Sequence, residues 1–149
     1  MTHLYFAYGS NLASARLRER VPSAVVRGVA RAPGFALRID KLGADGSAKA
    51  NLHPAPDPSA EIWGAVYAID AVDWPGLDAC ETGYARIEID VWLGDARTLV
   101  QTYSSERLTS DPVPLDWYKR LMVDGAREHG LPDAWCALLS ALPSRDVPR

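Results

Sequence analysis

The sequence has few of the residues and motifs that define specialised protein classes. Its two cysteines, Cys80 and Cys136, belong to no CxxC pair and no Cys/His array, which excludes a disulfide scaffold and the usual zinc motifs. No apolar run approaches the roughly 18 residues of a membrane-spanning helix, and the N-terminus lacks the basic and apolar regions of a signal peptide. We therefore expect a soluble, cytoplasmic protein that does not act on membranes.

Several ligand-binding and catalytic motifs are also missing. The chain contains no GxxxxGK[ST], GxGxxG, HExxH or GxSxG segment, so a nucleotide cofactor, a catalytic zinc or a hydrolase nucleophile elbow has no support from sequence. The formal net charge of −3 and the pI near 5.6 argue against a nucleic-acid partner. We expect neither a cofactor nor a metal.

The charge is nevertheless uneven along the chain. Residues 1–50 hold eight Lys and Arg against three acids, a balance of +5, so the remainder carries −8. Arg16, Arg18 and Arg20 stand in one predicted helix. Two interpretations stay open. The three arginines form a solvated helix face, which is the favoured interpretation, or they form a site for a small anionic ligand.

The composition and the hydrophobic periodicity predict an α+β fold in one domain over residues 1–149. Hydrophobic residues make up 48% and charged residues 23% of the chain, as in ordinary globular domains. Residues 84–93 alternate between apolar and polar side chains, and Gly94 and Asp95 then turn the chain into a partner strand over 97–103. Further strands are predicted at 3–8, 24–40 with a break at Pro33-Gly34, 49–53 and 61–69, and helices at 10–21, 70–80, 115–129 and 132–142. We expect a mixed, barrel-like sheet with flanking helices.

The segment Tyr8-Gly9-Ser10-Asn11 joins the first predicted strand to the first helix. A glycine turn that leads into a helix directs several unpaired backbone N–H groups at one spot, where an anion could bind. Ser10 and Asn11 are also good helix caps. From the residues alone, a simple capping role is the favoured interpretation.

Three segments together resemble the γ-glutamylcyclotransferase-like (AIG2-like) family. These are YFAYGSNL near the start, LDACETGY with its carboxylate about seventy residues later, and DWYKRLMVDGAREHGLP toward the end. The resemblance covers nearly the whole chain and is weakest at residues 33–60 and at the tail. It implies that a γ-glutamyl amide is converted to 5-oxoproline and a free amine without a cofactor.

The resemblance also implies roles for individual residues. Glu81 matches the family's catalytic carboxylate, which acts as general acid and base. Further family positions would bind the substrate, and they correspond here to Tyr8, Gly9, Ser10, Asn11, Tyr103 and Tyr118. Thr82 is a departure, because the family commonly has Gly directly after the Glu. Cys80 is expected to be a small core residue.

Two alternatives to the cyclising enzyme remain. A binding module of the same fold would hold a small anion or amino acid without turnover, and a hydrolase would release free glutamate from the same site. Burial of Glu81 beside Gly9–Asn11 would favour the enzyme, whereas a Glu81 turned into solvent by Thr82 would favour the binding module. The leaving amine is not specified by the sequence, and we expect loops 41–58 and 105–114 to bind it.

Overall fold

The computed structural model describes residues 3–147. Within these residues, seven strands and four α-helices follow one another along the chain. They are β1 Leu4–Ala7, α1 Ser14–Arg20, β2 Val25–Pro33, β3 Phe35–Leu42, β4 Ala48–Pro54, β5 Glu61–Ala68, α2 Trp74–Cys80, β6 Ala85–Leu93, β7 Ala96–Ser104, α3 Asp116–His129 and α4 Asp133–Ser140.

Five strands close into a barrel in the order β1, β5, β2, β6, β7. Most neighbours are antiparallel, and a parallel contact between β1 and β7, with Tyr5 opposite Gln101, completes the ring. The nearly continuous apolar run at 61–69 forms β5 between β1 and β2, as a strand buried on both faces should. The predicted α+β class with a mixed, barrel-like sheet is confirmed.

The remaining two strands, β3 and β4, form a separate hairpin beside the barrel. The predicted break at Pro33-Gly34 divides β2 from β3, and Gly34 has a φ of 83° that favours glycine. Strand β4 extends the short strand expected at 49–53 by one residue at each end. This hairpin places Ala50 and Lys41 near one end of the barrel, where they become part of a pocket described below.

The hairpin of β6 and β7 forms in the register that its alternating sequence predicts. Ala85 pairs with Ser104 at one end and Leu93 with Ala96 at the other. Ile89, Val91 and Val100 are buried in the barrel core. Glu88 and Asp90, which alternate with Ile89 and Val91 along β6, are exposed. The hairpin starts at Ala85, four residues after Glu81, where Ala85 pairs with Ser104.

The prediction of one helix capped by Ser10 or Asn11 is wrong. The chain first makes a 3-10 turn over Ser10–Leu12, and α1 begins only at Ser14. The backbone N–H of Ser14 donates to Oε1 of Glu128 on α3 at 3.1 Å, so the cap comes from a distant helix. The side chains of Ser10 and Asn11 make other contacts and are free of this local duty.

Helix α3 packs tightly against this 3-10 turn. A Cβ atom on Gly125 would lie 2.4 Å from the backbone carbon of Leu12, so only glycine allows the approach. His129 Nε2 donates to the Leu12 carbonyl at 2.8 Å, which agrees with a packed helix residue. The residue Gly130, with a φ of 69°, ends the helix as predicted.

None of the helices in residues 3–147 has the length and apolar character needed to cross a membrane.

Candidate active site

One small pocket opens where β1, the following turn and the ends of β6 and β7 meet. Its volume is about 290 Å³ when the space open to solvent is included, and we call it the reaction pocket. The structure brings all seven predicted site residues into its lining, although they come from four separate parts of the chain. The full lining is Tyr5, Tyr8, Gly9, Ser10, Asn11, Ala50, Glu81, Tyr84, Tyr103 and Tyr118.

Glu81 lies at the first residue after α2, where the chain leaves the helix. Its backbone N–H still donates to the Leu77 carbonyl at 3.0 Å, which fixes the direction in which its side chain leaves the backbone. That side chain is only 14% exposed, and Oε1 accepts a hydrogen bond of 2.8 Å from Nδ2 of Asn11. Thr82 is itself exposed and does not turn Glu81 into solvent.

The surroundings of Glu81 change its acidity. Burial raises the pKa of the carboxyl, because an ionised form loses water that the protein does not fully replace. Arg20, whose guanidinium lies 3.5 Å from Oε1, opposes this effect most, followed by the amide of Asn11 and then by the more distant charges of Arg16 and Lys41. The balance is a carboxyl with a pKa above its ordinary value, as a group that must both accept and return a proton requires.

The turn after β1 depends on Gly9. A Cβ atom at this position would lie 3.1 Å from Cβ of Ala50 and 3.3 Å from the Tyr118 hydroxyl, so a larger residue would crowd the pocket wall. Within the turn, the first backbone N–H groups that donate are that of Leu12, to the Gly9 carbonyl, and that of Ala13, to the Ser10 carbonyl. The N–H groups that precede them have no partner within such a turn and are left for other acceptors.

Tyrosine rings form most of the pocket wall. The Tyr8 hydroxyl donates to the Tyr103 carbonyl at 2.5 Å, and the Tyr84 hydroxyl donates to the Ala50 carbonyl at 2.6 Å. The Tyr103 hydroxyl donates to Asp78 of α2 at 2.6 Å. These three hydroxyls therefore hold strands and helices together around the pocket.

The hydroxyls of Tyr5 and Tyr118 are placed differently. Tyr5 accepts a hydrogen bond from Nδ2 of Asn11 at 3.0 Å, and Tyr118 accepts one from the Ala50 N–H at 2.9 Å. Each therefore keeps its own proton available. Burial raises the pKa of Tyr118 to about 12 and that of Tyr5 well above its ordinary value, so both hydroxyls stay neutral donors at physiological pH.

Sequence reasoning missed several residues at this end of the barrel. Tyr5 and Ala50 gave no signal, because an aromatic or small residue in a strand is most often core. Arg20 had a signal in its spacing of four residues from Arg16, which places both on one helix face. Arg18 is exposed, as a solvated helix face requires, but Arg16 and Arg20 are partly buried and line a second pocket.

Two further observations concern other chemistry. Cys80 is exposed rather than a core residue, since it occupies the outer side of the last turn of α2. Within residues 3–147, no group of three or more His, Cys, Asp or Glu side chains is arranged to hold a metal ion.

Comparison with known proteins agrees with this site. The AIG2-like family matches residues 61–139, more than half of the chain, and the protein belongs to this family. Its sequence is 32% identical to the gamma-glutamylcyclotransferase of Bos taurus, covering 96% of this chain and 80% of the relative. It is 34% identical to that of Mus musculus, covering 95% and 79%.

A solved structure is similar over the same extent. A gamma-glutamyl cyclotransferase superposes with a TM-score of 0.89 at 29% identity, covering 99% of this chain and 91% of the other. The predicted family is confirmed, and the relatives are enzymes of the predicted type.

Proposed function

We propose that this protein is a γ-glutamylcyclotransferase that converts a γ-glutamyl amide to 5-oxoproline and a free amine, with Glu81 as general acid and base. The observation that carries the proposal is the buried carboxyl of Glu81, which is held by Asn11 of the glycine turn inside a tyrosine-lined pocket. Family membership and the gamma-glutamylcyclotransferase relatives support the same activity.

The reaction asks little of the enzyme beyond orientation and proton transfer. The α-amine of the γ-glutamyl group attacks its own γ-carbonyl carbon, so a C–N bond forms within one molecule. Glu81 accepts a proton from the α-ammonium and returns one to the departing nitrogen as the original amide bond breaks. Atoms balance without water, and one carboxyl with a raised pKa performs both transfers.

The walls of the reaction pocket suit this step. The turn at Gly9–Asn11 offers backbone N–H groups to the oxyanion that develops on the γ-carbonyl. The hydroxyls of Tyr5 and Tyr118 supply neutral donors for the α-carboxylate, and the rings of Tyr8 and Tyr103 enclose the substrate.

Burial of Glu81 favours catalysis over a binding module. A module for a simple anion would gain nothing from a carboxylate in its wall, because like charges repel. A module for an amino acid could use Glu81 to bind the ammonium group, and formation of 5-oxoproline distinguishes the enzyme from it. We also propose that the protein works in the cytoplasm, since both cysteines are unpaired thiols.

The test is to incubate the protein with γ-glutamyl amino acids and amines and to follow 5-oxoproline by mass spectrometry. We expect Glu81→Gln to lower kcat by about 10³-fold, in the range for loss of a general acid and base, while its fold and substrate binding persist. Glu88→Gln is the matched control, because Glu88 is an exposed residue of β6. A near wild-type rate in Glu81→Gln would exclude the assigned role, and free glutamate as product would identify a hydrolase.

A further inference from the structure

A second pocket adjoins the reaction pocket and opens outward from it. We call it the outer pocket; its volume is about 680 Å³, and Ser10, Glu81, Tyr84 and Tyr118 line both pockets. Helix α1, the end of β3 and the turn that leads into β4 form the rest of its wall. Four cationic side chains line it, against the two acids Asp45 and Glu81: Arg16, Arg20, Lys41 and Lys49.

Only two of these four cations are paired. Arg20 lies 3.5 Å from the Glu81 carboxylate, and Lys49 lies 3.4 Å from Asp45. Among residues 3–147, neither Arg16 nor Lys41 has a carboxylate within ion-pair distance. The outer pocket therefore presents two positive charges that no acid neutralises at close range.

Lys41 is unusual for its burial. The residue is only 4% exposed, and its ammonium donates to the Thr82 carbonyl and lies 4.6 Å from the centre of the Tyr84 ring. Burial lowers the pKa of Lys41, while Glu81 and Asp45 raise it from a greater distance. The Thr82 carbonyl and the Tyr84 ring stabilise this ammonium without neutralising its charge, so an anionic group that entered the outer pocket would be attracted to it.

Arg16 on α1 is a second, partly buried cation of this pocket without a carboxylate partner. Its Nε donates to the Ser10 hydroxyl at 3.1 Å, and its guanidinium carbon lies 5.6 Å from the centre of the Trp117 ring. Burial is the largest effect on its pKa and lowers it. The ring and the hydroxyl orient the guanidinium but leave its positive charge without a counter-ion.

We propose that the outer pocket binds the leaving half of the substrate and that this half carries two anionic groups, as in the γ-glutamyl derivative of an acidic amino acid. This inference rests on the proposed cyclotransferase function. Glu81 forms part of both pockets and must reach the departing nitrogen, so the leaving group extends from Glu81 into the outer pocket. One carboxylate of the leaving amino acid then binds Arg16, and the other binds Lys41.

The same arrangement predicts which substrates are poor. A leaving amine without a carboxylate leaves both cations unneutralised, and a diamine adds a third positive charge beside them. An amino acid with a neutral side chain satisfies one cation. The expected order of kcat/KM is therefore γ-glutamyl-glutamate, then γ-glutamyl-glutamine, then γ-glutamyl-ethylamine.

The experiment compares these three compounds on the wild-type protein. Glutamate and glutamine have nearly the same shape, so their ratio isolates one negative charge. We expect about a tenfold drop in kcat/KM for each charge removed, as for a hydrogen bond to a charged group, and a smaller ratio at high salt. Equal rates for all three compounds would overturn the inference but keep the cyclotransferase, whereas no 5-oxoproline from any would overturn the proposed function itself.

Variants then locate the preference. Lys41→Met and Arg16→Gln should each reduce the glutamate-to-glutamine ratio toward one, and Arg38→Met is the matched control because Arg38 is an exposed residue of the same strand as Lys41. If either variant fails to fold, the other still tests the assignment. A ratio that stays at the wild-type value in both variants would show that the preference does not arise in the outer pocket.

Discussion

The reaction pocket and the outer pocket share a wall but differ in charge and in origin. The reaction pocket is lined by tyrosines whose hydroxyls remain neutral, with Glu81 as its acid. It is assembled at one end of the closed barrel. The outer pocket is lined by cations and is formed by α1 and by residues 41–49, the segment that includes the ends of β3 and β4.

This difference separates two tasks. Chemistry requires a fixed geometry between Glu81, Asn11 and the glycine turn, and the barrel provides it through hydrogen bonds between elements distant in sequence. Selection of the leaving amine requires only that side chains of complementary charge face it, and the hairpin of β3 and β4 at the margin of the barrel can supply such side chains. Of the two loops expected to bind the leaving amine, 41–58 contributes residues from its first part, 41–49, to the outer pocket, whereas 105–114 contributes none.

The largest effect should come from a change that displaces the turn of the reaction pocket. In Gly125→Ala, the new methyl group would lie within 2.5 Å of the Leu12 and Ala13 backbone, and that backbone must shift. We expect a loss of about 2–3 kcal/mol in the free energy of unfolding and a large fall in kcat for every substrate. The preference among leaving amines should change less than kcat, because Lys41 lies on β3, away from the displaced backbone. Urea denaturation and kinetics measure both.

The matched control for this change is Gly76→Ala. Gly76 lies in α2, and a Cβ atom there would meet nothing within 4 Å. Alanine should therefore stabilise the protein by up to about 1 kcal/mol through its helix propensity. If Gly125→Ala behaved like Gly76→Ala, the close contact between α3 and the turn would not hold the reaction pocket in place.

An intermediate effect is expected from Arg20, which stands between the two pockets. Its positive charge is the largest influence that lowers the pKa of Glu81, so Arg20→Gln should raise that pKa further. At acidic pH less of Glu81 is then ionised and able to accept the proton from the substrate. The acidic limb of the kcat profile should move to higher pH, with a rate about tenfold lower on that limb and little change at alkaline pH.

Arg18→Gln is the control for Arg20→Gln. Arg18 is exposed on the same helix, so a general effect of removing positive charge from α1 would appear in both variants. A profile that moved equally in the two variants, or moved to lower pH in Arg20→Gln, would contradict the ion pair with Glu81 as the cause.

The sequence predicts the parts of this protein that local physics determines. The alternation of apolar and polar residues over β6 and β7 predicts the hairpin and the face that points into the barrel, and Gly130 predicts the end of α3. The site was predicted in another way, because Glu81 and Gly9 are joined only by resemblance to a family. Nothing in either segment alone distinguishes a catalytic carboxylate from one at the surface of a helix end.

What the sequence could not predict depends on contacts across the chain. Ser10 and Asn11 read as caps because their side chains bond local N–H groups in most proteins. Here Glu128 supplies the cap, and the Asn11 amide is taken by Glu81. Similarly, Lys41 gave no sign of burial, since its surroundings are made by Thr82 and Tyr84, which follow it by some forty residues.

The smallest effect should be on stability, and it uses the same substitution as the test of catalysis. Burial raises the folded-state pKa of Glu81 above its unfolded value, so the folded protein binds the proton more tightly. The stabilisation that this proton provides is complete below the unfolded pKa and is lost as pH rises through the folded pKa.

At neutral pH the wild-type protein therefore contains a destabilising buried charge, and Glu81→Gln removes it while the side-chain oxygen can still accept a hydrogen bond from Asn11. We expect Glu81→Gln to be more stable than wild type by roughly 1 kcal/mol at neutral pH and the gain to disappear as the solution is acidified. Thermal unfolding of both proteins across this pH range measures the difference. A gain that was independent of pH would mean that burial and the Arg20 ion pair cancel at this carboxyl, and a gain that grew on acidification would mean that the ion pair outweighs burial.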